Sequence, residues 1–189
     1  MIRRALARAL LRLARWRTVG RVPDSGILVG APHTSNWDWV GMLLLLWSQD
    51  VSPRVLIKRE MFHGPLGWLL RATGGIPIDR DNATTVVGDL ASSAAEDERF
   101  VIVLAAEGTR GRQEHWKSGF YRLARQTGLP VSLGFIDGPS RTLGFGPTIE
   151  LTGEVAADMD RIREFYADKH GINPELRTEP RLRDKDADL

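Results

Sequence analysis

Short, charge-free apolar runs alternate along this chain with segments whose apolar residues recur at helical spacing. Residues 27–30 (ILVG) are β-rich and uncharged, the pattern of a buried strand, and Pro32 ends it because proline cannot donate to a sheet ladder. Ser35 or Asn36 then caps a helix through Trp37, Trp39, Val40 and the leucines to Trp47, far shorter than a membrane span needs. Residues 54–58 read as a strand, and residues 61–70 as an apolar stretch broken by Gly64, Pro65 and Gly67. Glycines at 74 and 75 turn into a short strand that Pro77 places at a sheet edge. Val86, Val87, Leu90 and Ala94 give residues 82–99 the spacing of an amphipathic helix.

Residues 100–106 (FVIVLAA) are suited to the centre of a sheet buried on both faces. A helix over 117–126 stops at Gly128, a strand over 130–136 follows, and Gly144-Phe145-Gly146 reads as a loop before a strand over 147–151. Residues 156–170 close the pattern as a helix, and the mixed-charge tail at 173–189 is expected to be loosely attached. Alternating strands and helices predict one α/β domain over 23–172, its central sheet mostly parallel or mixed and flanked by helices.

Charge changes the picture at the N-terminus. Residues 1–22 hold seven arginines and no acid, which leaves 19 basic against 24 acidic residues in the rest of the chain. On a helical wheel Ile2, Leu6, Leu10, Leu13 and Trp16 share a face with Ala5 and Ala9, Arg4, Arg8, Arg12 and Arg15 lie opposite, and Leu11 alone breaks the pattern. Such a basic amphipathic helix over 1–22 lies on an anionic membrane surface or docks on its own domain. Recurring arginines and the lack of a small-residue cleavage site argue against a secretory signal. A cytoplasmic protein, peripheral on the inner face of the membrane, is the expectation.

With no cysteine, the chain excludes a disulfide framework, a thiol nucleophile and a thiolate metal site. No Gly-x-Ser-x-Gly elbow occurs, which disfavours serine hydrolysis, and the basic residues lack interleaved stacking aromatics, which disfavours nucleic acid.

Candidate chemistry sits where apolar runs end. His33 falls in the turn after the first internal strand and Asp38 in the first turn of the next helix. Residues five apart within one helix point about 140° away from each other, so contact needs one of them off the helix, as His33 is. A carboxylate on one ring nitrogen fixes the tautomer and leaves the other free to take a proton from an alcohol. At the end of residues 100–106 stand Glu107, Gly108, Thr109 and Arg110. Gly108 permits a close turn, Thr109 can bond an oxyanion, and Arg110 can clamp a phosphate through two parallel hydrogen bonds, with Arg80 and Lys58 as partners.

Together these blocks make the chain resemble the glycerolipid acyltransferase family that forms phosphatidic acid from 1-acylglycerol-3-phosphate. The family's His-x4-Asp block matches His33-Thr34-Ser35-Asn36-Trp37-Asp38, its Glu-Gly-Thr-Arg block residues 107–110, its Ile-Asp-Arg block Ile78-Asp79-Arg80, and its upstream lysine Lys58. Pro32 stands where the family often has Asn, and Ala105-Ala106 where it has an aromatic-Pro pair. The resemblance implies a short form without membrane-spanning helices. In it, His33, oriented by Asp38, deprotonates an acceptor hydroxyl that attacks the thioester of acyl-CoA or acyl carrier protein. Glu107 organises its loop, amides near Gly108 serve the oxyanion, Arg110 and Arg80 hold the phosphate, and neither metal nor cofactor is needed. A different lipid or glycolipid acceptor, or a catalytically silent lipid-binding homologue, is the alternative.

Overall fold

A computed structural model describes residues 2–79, 85, 88 and 100–186. The helix expected over 82–99, and Arg80 with it, lies outside the described residues. The strands are β1 (Arg17–Val19), β2 (Ser25–Ala31), β3 (Arg54–Lys58), β4 (Gly75–Ile78), β5 (Phe100–Ala105), β6 (Val131–Asp137) and β7 (Thr142–Ile149). The helices are α1 (Ile2–Leu13), α2 (Trp37–Ser48), α3 (Gly64–Ala72), α4 (Gly119–Thr127) and α5 (Val155–Tyr166).

All seven strands join one mixed sheet in the order β1-β7-β6-β2-β5-β3-β4. Strands β2 to β6 run parallel, while β7 is antiparallel to β6 and β1 parallel to β7. The apolar run in β5 does sit between β2 and β3 with Val101, Ile102 and Val103 buried, and Pro77 does lie in an edge strand.

Each face of the sheet carries its own core. Leu11 of α1 and Leu45 and Leu46 of α2 cover one face with Leu28, Val101 and Val103, and Phe120, Tyr121, Met159, Ile162 and Tyr166 from α4 and α5 cover the other with Ile27, Val29 and Ile102. The steps β2–α2–β3 and β3–α3–β4 cross the sheet in the same direction, so right-handed crossovers put α2 and α3 on one face. A Cβ on Gly75 would meet the Leu70 carbonyl of α3 and Ile57 of the α2-side core, which agrees.

Three sequence expectations change. The basic segment over 1–22 is not one helix: α1 ends at Leu13, Arg15 adopts a left-handed φ of 57°, and Arg17–Val19 pair with β7 as β1. A three-residue strand has too little period to show in a sequence. Leu11, the residue that broke the amphipathic pattern, is with Ala7 what docks α1, while Ile2, Leu6, Leu10 and Leu13 face outward.

The expected loop at Gly144-Phe145-Gly146 lies inside β7. A Cβ on Gly144 would fall 2.2 Å from the Val19 carbonyl oxygen and one on Gly146 2.2 Å from the Phe165 ring, so these glycines serve close approach within a strand. Residues 173–186 of the tail are not loose either, since Thr178, Leu182 and Asp186 are buried, and 187–189 lie outside the described residues.

Candidate active site

Strand β2 fires the chain into a turn at Pro32 and His33 before α2 begins. Its neighbour β5 runs parallel to it with Gly30 opposite Ala105, so the turn carrying His33 and the loop carrying residues 107–110 leave the same edge of the sheet side by side.

Within that turn His33 Nδ1 lies 3.2 Å from Asp38 Oδ2. The same oxygen accepts the amides of Thr34 and Ser35, each at 2.7 Å, and Ser35 Oγ accepts the Trp37 amide at 3.2 Å. Two backbone donors thus fix the carboxylate, which stands at the positive end of α2, before it orients the ring. An Nδ1–H donated to Asp38 leaves Nε2 with its lone pair, the form required of a general base. With 21% of its side chain exposed, His33 is open to a substrate, whereas Asp38 is buried.

Glu107 ties the two loops together. It is fully buried, and its Oε2 accepts the His33 backbone amide at 3.1 Å while Oε1 has no hydrogen-bond partner. Burial pushes its carboxyl up to about 8; the His33 amide opposes that rise, the Asp38 charge adds to it, and the Arg177 charge opposes it. At pH 7 the group therefore holds its proton, and as a neutral acid it joins its loop to the turn of His33.

The sign of its pH effect follows. Because the folded-state pKa lies above the unfolded value of 4.5, the folded protein binds the extra proton between about pH 4.5 and 8. The stability this proton contributes is full below that window and is lost as pH rises through it. Glu107→Gln removes the titration but keeps an acceptor for the His33 amide. Chemical denaturation across this window should show the variant gaining on the wild type with rising pH, by up to about 5 kcal/mol in all.

Gly108, Thr109 and Arg110 are exposed beyond Glu107, Gly108 with a φ of 71°, on the edge that carries His33. Lys58 ends β3, the strand next to β5, and its exposed Nζ lies 3.0 Å from Glu60 Oε1. Asp79 follows β4 on the same edge, and Arg80 lies outside the described residues.

Sequence reading missed the segment that braces this site from behind. Asn173 donates its backbone amide to Thr34 Oγ1 at 3.0 Å and its Nδ2 to the Thr34 carbonyl at 2.8 Å. Thr178 Oγ1 accepts the Gln113 amide, its carbonyl accepts Trp116 Nε1, and the Arg181 carbonyl accepts the Trp116 amide. Residues 173–181 therefore strap the loops after β2 and β5. A second His–Asp pair, His170 Nδ1 to Asp137 Oδ1 at 3.2 Å, fastens the start of this strap to the end of β6.

Local pattern offers no signal for these contacts, which span up to 139 residues. Asn173→Ala orphans the carbonyl of buried Thr34, the residue next to His33. It should lower kcat about tenfold with KM unchanged on a soluble short-chain substrate, measured by steady-state kinetics.

The geometry meets an independent comparison. A family model described as Acyltransferase matches residues 15–132, well over half of the chain and both loops of the site. The chain belongs to the acyltransferase family. No curated protein matches this acyltransferase. Among solved structures, it is similar in fold to the crystal structure of the 1-acyl-sn-glycerophosphate (LPA) acyltransferase PlsC from Thermotoga maritima, at 15% identity and a TM-score of 0.56, over 86% of this chain and 76% of that one. The family match ends before the strap begins, so the brace on the acyltransferase site comes from outside the matched region.

Proposed function

We propose that this acyltransferase moves a fatty acyl group from acyl-CoA or acyl carrier protein to the hydroxyl of a lysophospholipid, with 1-acylglycerol-3-phosphate as acceptor and phosphatidic acid as product. The observation that carries this is the His33–Asp38 pair, hydrogen-bonded through the His33 amide to the loop that bears Arg110. The acceptor O–H gives its proton to His33 Nε2 as its oxygen attacks the thioester carbon; the C–S bond breaks, and the thiolate leaves with a proton returned from the imidazolium. Amides near Gly108 supply donors to the oxyanion and Arg110 receives the phosphate. No acyl-enzyme is required.

The exposed apolar residues support a membrane-peripheral setting on the inner face. Trp37, Trp68, Leu66, Leu69, Ile2 and Leu13 are among the large hydrophobic side chains left exposed, and apart from Val19 all of these belong to α1, α2, α3 or the turn before α3. No described helix is long and apolar enough to cross a membrane. A surface bearing tryptophans and leucines suits contact with a bilayer.

The test exploits the missing cysteine: CoA release can be followed with a thiol reagent without protein background. A panel of lysophospholipids and neutral lysolipids is offered with acyl-CoA or acylated carrier protein. Turnover confined to phosphate-bearing acceptors is expected; equal turnover on neutral lipids would remove 1-acylglycerol-3-phosphate as the substrate.

A further inference from the structure

At the opposite edge of the sheet from His33, α1, the chain between β1 and β2, and the end of α2 enclose a cavity of about 920 Å³. Seven residues of β2 separate the two edges, about 20 Å at strand rise. Arg4, Arg8, Arg12 and Arg21 line it against one acid, Asp24.

Only Arg8 among the four is engaged, its Nε donating to the Ser48 carbonyl at 3.0 Å. Among the described residues, no hydrogen bond or ion pair ties down the side chain of Arg4, Arg12 or Arg21. Like charges gathered round one concavity repel each other, and among the residues that line it Asp24 is the acid that offsets them. Guanidinium groups bind phosphate in paired hydrogen bonds, and this volume suits a headgroup.

On α1 the directions are set by 3.6 residues per turn. Ala7 and Leu11 point into the domain, Arg4, Arg8 and Arg12 follow one flank into the cavity, and Ile2, Leu6 and Leu13 point away from the domain. One helix thus presents an apolar face to its surroundings and an arginine row to a cavity beside that face.

We propose that this arginine-lined cavity is a second, non-catalytic site for the phosphate headgroup of an anionic lipid in the membrane on which the protein sits. It rests on the membrane-peripheral reading above and is separate from acyl transfer, since it lies a sheet's length from His33. The site would hold a lipid while the catalytic edge works on another, and would favour bilayers rich in phosphomonoester lipid.

The probe is a vesicle of phosphatidylcholine, alone or with about 20 mol% phosphatidic acid, in a sedimentation assay with full-length protein. Arg4→Gln/Arg12→Gln/Arg21→Gln removes three charges at the cavity, and Arg161→Gln/Arg183→Gln/Lys185→Gln removes three exposed charges outside its lining. The first variant should lose affinity for the phosphatidic acid vesicles about a hundredfold and the second less than about threefold. Equal losses in both variants would show only net charge at work and overturn the site. So would saturation of the wild-type cavity by inorganic phosphate with no preference between the two vesicles. Turnover of a soluble short-chain lysolipid, measured in parallel, should be unchanged in the cavity variant. Absent turnover in the wild type would sink the acyl-transfer reading and leave the vesicle result standing.

Discussion

Replacing His33 with Ala should lower acyl transfer by about 10² to 10⁴-fold, the range a positioned general base contributes. The loss should fall on kcat, because in the proposed mechanism the imidazole acts on the acceptor proton as the C–O bond forms and adds little to binding lipid in the ground state. The fold gives no reason for collapse: the His33 side chain is partly exposed, and it is the backbone amide, which alanine keeps, that bonds Glu107. Asp38→Asn is the companion. An amide oxygen still accepts the Thr34 and Ser35 amides but no longer carries the charge that holds Nδ1–H, so a smaller loss in kcat is expected. Thiol-detected single-turnover kinetics on both variants, with unfolding curves alongside, checks this; a His33→Ala enzyme at wild-type kcat would remove the base from the mechanism.

Arg110→Ala should reduce kcat/KM for phosphate-bearing acceptors by about 10- to 100-fold, the worth of hydrogen bonds to a charged group. Neutral acceptors, if used at all, should change by less than about twofold. Arg110 is given this share because it is exposed on the loop that leaves the sheet beside the turn of His33. Comparing phosphate and alcohol acceptors of equal chain length in the two enzymes isolates the effect. A uniform fall across both classes would mean that the residue shapes the loop and does not grip the acceptor.

What the sequence made legible was local. His33 and Asp38 lie five residues apart and residues 107–110 directly follow the strongest apolar run, so the contact of the first pair and the place of the second block at a strand end could be expected locally, and β2 and β5 announced themselves by charge-free runs. That the two blocks share an edge needed only parallel strands, which alternation with helices implies. The missed features depend on partners distant in sequence. Leu11 is an intruder on the helical wheel until α2 is placed against it, Gly144 looks like a loop residue until β1 lies across it, and Asn173 belongs to a charged tail until Thr34 is beside it.

The strap over residues 173–181 sets an order of events for a chain made from its N-terminus. The strands and both motif loops emerge first, and the brace that fixes the turn of His33 can arrive only after the helix over residues 155–166 has followed them. A nascent enzyme on the ribosome should therefore hold a nearly finished sheet yet stay idle, its competence switched on late in synthesis.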